Sequence, residues 1–448
     1  MAYVPIGDAD RRKMLEAIGV ERVEDLFTSI PEKYRRQDPL AIPRGLSEPE
    51  LRRRLGSLAK KNLDVQDLHS FLGAGAYRHE IPSVVSHLTA RSEFYSSYTP
   101  YQPEISQGTL QAIFEYQTLI CQLTGMEVAN ASLYDGASAL AEGILLSHRV
   151  RKKRRVLLAN SVHPHYLQVA RAYTRHLDLE LEVLPFGKDG RIDPAVLESA
   201  LRDDSTAVVL QSPNVFGIVE DTGRLSKPIR TAGALLISVV TDPVCLGALR
   251  PPGEFGADVV LGEAQALGGG LVYGGPYLGF LATRESYLRE IPGRLVGRTE
   301  DGKGNPGYVL TLATREQHIR REKATSNICT NQGLCALSAS IFLASLGREG
   351  IREMALQNLH KAHYAKHRLA EIDGCRLRFA AETFHEFVLE LPEDAATVHE
   401  RLYRKGFLAG IPLGTWFPEE SRSLLLCVTE ANPREEIDAL VGAMGEVL

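Results

Sequence analysis

The chain has 448 residues, 44% apolar and 24% charged, with a formal net charge of −5. This is a globular composition with enough apolar residues for a large core and room for two or more domains. It does not suggest a nucleic-acid binder, because the one basic block, Arg151-Lys152-Lys153-Arg154-Arg155, is short and reads as a solvated helix end. Met1 to Asp8 has no signal-peptide pattern, and no apolar run looks long enough to span a bilayer. The six cysteines are scattered, with no C-x-x-C pair, and Cys329 and Cys335 have no partners at metal-site spacing. The expectation is a cytoplasmic protein with reduced thiols and no metal or membrane.

Residues 1–64 read as a polar helical arm that packs on a larger body. Asp8 to Ile18 forms a helix with a capping Asp and a stop at Gly19, followed by short helices at Val23–Phe27 and Glu48–Leu55.

Residues 65–325 alternate helix and strand. Gly108 to Thr124 has helical periodicity and ends at Gly125; further helices are expected near Ala137–His148 and His165–Arg175. The strands are Arg155–Ala159, Glu180–Leu184, Thr206–Leu210 and Ala234–Val240, most of them continuous apolar runs. That pattern predicts an α/β fold whose mostly parallel sheet has helices on both faces. Residues 326–448 read as a smaller C-terminal α+β domain, with a long helix from about Gly333 to Leu369, strands at Glu386–Leu391 and Leu424–Val428, and a closing helix Arg434–Val447.

Three stretches carry unusual residue types. In Tyr98-Thr99-Pro100-Tyr101-Gln102-Pro103-Glu104 the two prolines keep the chain out of sheet and helix. Tyr98, Tyr101, Gln102 and Glu104 are thus displayed from a stiff loop that either holds a small polar ligand or is only a rigid connection. The second runs from Thr314 to Asn327, where Glu316 and Arg320 are spaced to stabilise a helix and Thr325 and Ser326 suit a helix cap or a phosphate. The third joins Asp242, after an apolar strand, to Gly256–Gly270; an Asp there sits where α/β folds bind ligands, or merely caps a turn. The glycine run lacks the spacing of a nucleotide loop.

The first two stretches, with Phe71–Tyr77 and Tyr134–Ala139, resemble the glycine cleavage system P-protein along essentially the whole chain. The length corresponds to the N-terminal half of the long form, the first of two subunits. The resemblance implies the type I, aspartate-aminotransferase-like fold of pyridoxal-phosphate (PLP) enzymes. It implies a heterotetrameric enzyme that decarboxylates glycine on PLP and passes the aminomethyl group to the lipoyl arm of the H-protein. One departure stands out. The His-Lys pair of the cofactor-bearing half falls on Gln265-Ala266, and Ile229 to Asp301 contains no lysine. PLP is therefore expected in a partner, the second P-protein subunit, and not covalently in this chain. Tyr98, Tyr101, Gln102 and Glu104 would reach the partner's substrate, with Thr325 and Ser326 near its cofactor; Asp242 and His163 would be remnants of a ring-binding pocket. The alternatives are a scaffold that only stabilises the partner, and an independent enzyme using Lys323.

Overall fold

The computed structural model describes residues 5–36, 38, 40–65 and 67–448. They form two compact units, one ending at Leu63 and one beginning at Asp64. The first holds helices Asp8–Ile18 and Glu48–Ala59, with short 3-10 turns between them. Gly7, not Asp8, is the first N-cap, and its N–H donates to the Asp10 carboxylate at 3.1 Å. No residue of either helix is buried, so Met14, Ile18, Leu51, Leu55 and Leu58 keep apolar side chains at the surface.

The second unit is built on a seven-stranded sheet. In chain order its strands are β1 (Val128–Ala129), β2 (Arg155–Ala159), β3 (Glu180–Leu184), β4 (Ser205–Gln211), β5 (Leu235–Val240), β6 (Val259–Glu263) and β7 (Gly279–Thr283). Their spatial order is β1-β7-β6-β5-β4-β2-β3. Neighbours from β6 to β3 are parallel, while β7 runs antiparallel to both β6 and β1. Every residue of β2, β4, β5 and β6 is buried; strands covered on both faces need such unbroken apolar runs. β7 escaped the sequence reading because glycines and a proline surround it, as did the antiparallel hairpin Leu295–Glu300 with Pro306–Thr311.

Helix Gly333–Ala370 is long and apolar enough, by length and composition, to cross a bilayer, which the sequence reading did not anticipate. Its backbone breaks from helical geometry at Gly347. Ala336, Ala339, Phe342 and Ala355 pack into the core around the large sheet. Ala362, Ala365 and Leu369 pack into the core of a second, four-stranded antiparallel sheet built from Arg376–Leu377, Glu386–Glu390, Ser423–Cys427 and Ile411–Pro412. The helix is thus a core helix shared by two layers.

The charged stretch is not one helix. A four-residue helix, Gln317–Arg320, lies between 3-10 turns, and Arg321 takes a left-handed φ of 54°. Glu316 faces His318 Nδ1 at 3.7 Å and forms no ion pair with Arg320.

Helix Gly136–Arg151 lies so close to the sheet that a Cβ on Gly143 would stand 2.4 Å from Leu261 Cδ2 on β6. Leu261 is fully buried. Leu261→Ala is expected to lower the unfolding free energy by about 2–5 kcal/mol, and Gly143→Ala by roughly 1–3 kcal/mol through overpacking, both measured by urea unfolding.

Candidate functional site

The carboxyl ends of the parallel strands deliver His163 beyond β2, Asp242 beyond β5 and Glu263 at the end of β6. Each is fully engaged by the protein itself. The Asp242 side chain is 2% exposed. Its Oδ2 lies 3.2 Å from His79 Nε2 and 2.9 Å from His385 Nε2, and its Oδ1 accepts from Val244 N at 3.0 Å. Burial alone would raise the Asp242 pKa, but the two imidazoles hold it well below the usual carboxylate range. Burial likewise opposes charge on His79; Asp242, with Glu430 at 2.9 Å from Nδ1, outweighs it and raises the imidazole to about 10.

Glu263 Oε2 accepts from Gly136 N at 2.9 Å, and Oε1 from Leu278 N at 2.7 Å and Gln265 N at 3.0 Å. A carboxylate thus occupies the N-terminus of helix Gly136–Arg151, where a helix would otherwise receive an anion. Asp135 adds a second one, accepting from Ser138 N at 2.7 Å. Burial pushes Glu263 up to about 7 against the pull of these three N–H groups.

Gln265 accepts from Tyr77 N at 3.2 Å and donates to Gly269 O, locking the turn that carries Ala266, itself 2% exposed. Tyr77 is fully buried, and its hydroxyl donates to Glu386 at 2.9 Å. His163 Nε2 donates to Ala74 O at 2.8 Å, and Nδ1 accepts from His165 N at 3.2 Å.

The stiff loop has the opposite character. Tyr98 is 90% exposed and Tyr101 55%, and Gln102 and Glu104 also face outward. Gln107, at the start of the next helix, anchors it by donating to Pro103 O (2.7 Å) and Tyr308 O (2.9 Å) and accepting from Tyr308 N (2.9 Å). Arg294, 4% exposed, reaches the Tyr101 hydroxyl at 3.4 Å and Thr330 and Asn331 at 3.2 and 3.1 Å. Tyr98, Arg294, Asn331 and Leu334 help line a cleft of about 180 Å³. Thr325 and Ser326 are half-buried elsewhere, beside Arg315 and Ile291; Thr325 N donates to Arg315 O at 3.1 Å, and Ser326 Oγ accepts from Ile328 N at 3.0 Å. Sequence reasoning missed His79, His385, Glu263 and Arg294, single polar residues that only tertiary packing brings to these places.

A mostly parallel seven-stranded sheet between helices, with an acid at the carboxyl end of its central strand, defines the type I fold of PLP-dependent enzymes. A glutamate decarboxylase of Lactobacillus brevis shares that fold with a TM-score of 0.68 at 13% identity, covering 93% of this chain and 95% of that one. The chain belongs to the glycine cleavage system P-protein family, whose description matches residues 1–444. A probable glycine dehydrogenase (decarboxylating) subunit 1 of Moorella thermoacetica is 52% identical over the full length of both chains. A crystal structure of the glycine decarboxylase (P-protein) of the glycine cleavage system, in inhibitor-bound form, superposes with a TM-score of 0.92 at 42% identity, also over the full length of both.

The residues of this chain's own pocket do not fit PLP. Ala266 has no amine, two carboxylates stand at the helix N-terminus that would meet a phosphate, and Asp242 is taken by two imidazoles.

Burial is the main cause of a His163 pKa lowered to about 4, and its two hydrogen bonds suit only the neutral ring. The folded state therefore binds this proton less readily than the unfolded chain, whose histidines titrate near 6.5. The stability is complete above about pH 6.5 and is lost as pH falls through about 4, for a total of roughly 3 kcal/mol. His163→Gln should flatten that part of the acid branch of a stability-versus-pH curve by a similar amount.

Proposed function

We propose that this chain is one subunit of a two-subunit glycine decarboxylase in the glycine cleavage system, and that it completes an active site whose PLP is held by the partner subunit. The observation that carries this reading is a contrast: the polar groups around the chain's own cavity of about 360 Å³, His163, Asp135 and Glu263 among them, are paired within the chain, while a rigid, anchored loop holds tyrosine, glutamine and glutamate side chains outward. A scaffold has no use for such a display. In the reaction the bond from the glycine α-carbon to its carboxylate breaks and CO2 leaves. The aminomethyl carbon is bonded to one lipoyl sulfur of the H-protein, and the lipoyl disulfide is reduced. The electron sink belongs to the partner; Tyr98, Tyr101, Gln102 and Glu104 orient the substrate and exclude water, and Thr325 and Ser326 lie toward the cofactor's side of the interface.

Exposed apolar side chains support a subunit interface on this face. Tyr95, Tyr98 and Ile105 flank the loop, and Leu334 connects their cleft to Val272 beside the glycine run. Such a surface suits a permanent partner better than water. The chain is assigned to the cytoplasm, where its free cysteines stay reduced.

Tyr101→Phe removes the hydroxyl that meets Arg294 and leaves the ring in place. In the reconstituted two-chain enzyme it is expected to lower glycine decarboxylation roughly 10²–10³-fold, with the assembled mass by light scattering unchanged. Unchanged turnover would leave the scaffold reading in its place. The chain alone, mixed with PLP, should give neither imine absorbance nor glycine decarboxylation.

A further inference from the structure

The buried cluster around Asp242 is more than a set of paired side chains. His79, Asp242 and His385 each offer a ligand atom, and the three atoms lie within 4.8 Å of one another. All three side chains are 1–2% exposed. The two contacts to Asp242 Oδ2, at 3.2 and 2.9 Å, approach the separation of about 3.3 Å between ligand atoms around a tetrahedral zinc ion. His385 is the informative member. Among the described residues its Nδ1 has no partner, and its Nε2, though 2.9 Å from the Asp242 carboxylate and part of what holds that carboxyl down, is not aligned for a regular hydrogen bond. A buried imidazole with one nitrogen unpartnered and the other poorly aligned calls for a group not yet counted.

Orientation points the same way. The carboxylates in contact with these imidazoles are Asp242 and Glu430. A ring nitrogen left without an aligned hydrogen bond can offer its lone pair to a cation. Glu430 Oε2 lies 2.9 Å from His79 Nδ1, on the ring nitrogen that faces away from Asp242. A carboxylate behind a ligating histidine is the arrangement that fixes tautomer and ring orientation in metal sites.

We propose that His79 Nε2, Asp242 Oδ2 and His385 Nε2 bind a first-row divalent cation of the zinc type, with Glu430 orienting His79. Two imidazoles and one carboxylate suit zinc over magnesium or calcium. The ion is structural: it joins the end of β5 to the segment before the first helix of this unit and to the second sheet.

The test uses the full-length chain expressed with zinc supplementation and purified in metal-depleted buffer. Elemental analysis is expected to find one zinc per chain. Replacement by cobalt(II) should give the visible ligand-field bands of a low-coordinate N/O site, and a chelator should lower the Tm. His385→Gln should reduce the bound metal to below a tenth of an equivalent. Glu430→Gln, which keeps all three ligands, should weaken zinc affinity by about 10–100-fold. If His385→Gln does not fold, the wild-type cobalt spectrum and Glu430→Gln decide. A wild-type chain that stays metal-free after incubation with zinc, with no cobalt bands and no chelator effect on Tm, would overturn the proposal.

Discussion

The structure around the pocket depends on burying one carboxylate. Asp242 sits at the carboxyl end of the central strand with almost no exposure to water. An isolated ion there would cost several kcal/mol, and only close opposite charge and aligned donors can offset it. Segments far apart in sequence therefore converge on it: His79 from before the first helix of the unit, His385 from the edge of the second sheet, and Val244 N from the following turn. Glu430 extends the network and also accepts from Glu80 N at 2.7 Å. The large sheet, the second sheet and the loop at 74–80 are thus tied together by electrostatics that tolerates no missing member.

The same economy shapes the chain's own pocket. A fold of this type offers a helix N-terminus to an anion and an acid to a ring nitrogen. Here Glu263 and Asp135 stand at the helix N-terminus from within, and two imidazoles face Asp242. Tyr77 links the two groups, its N–H donating to Gln265 and its hydroxyl to Glu386. Ala266 carries no amine, and the groups placed where this fold meets a cofactor satisfy one another. Restoring an amine at that one position would leave these pairings intact.

Regular elements were legible in the sequence, and convergent ones were not. Apolar runs such as Val156–Leu158 and Leu235–Val240 mark buried strands because both faces are covered, and Gly125 marks a helix end through its positive φ of 70°. The charged stretch misled because opposite charges spaced for a helix say nothing about the left-handed turn at Arg321. Glu263 and His385 carry no local signal at all. Each is a lone polar residue at a strand end, and its meaning depends in part on a partner more than a hundred residues away, Gly136 for Glu263 and Asp242 for His385. The Tyr98–Glu104 loop was legible because two prolines limit the backbone whatever the rest of the chain does.

That loop illustrates how a surface display can be fixed in advance. Exposed side chains meant for contact gain little if they wander when free, since ordering each one on binding costs about 0.5–1.5 kcal/mol. Prolines at 100 and 103 restrict the backbone, Gln107 fastens the loop end to the hairpin strand, and Arg294 holds the Tyr101 hydroxyl from below. Arg294 is buried while the ring it holds is half exposed, so the support belongs to the body of the subunit and the contact to its surface. The ordering cost is met when this chain folds, before any partner arrives, and more of the interface energy then remains for assembly.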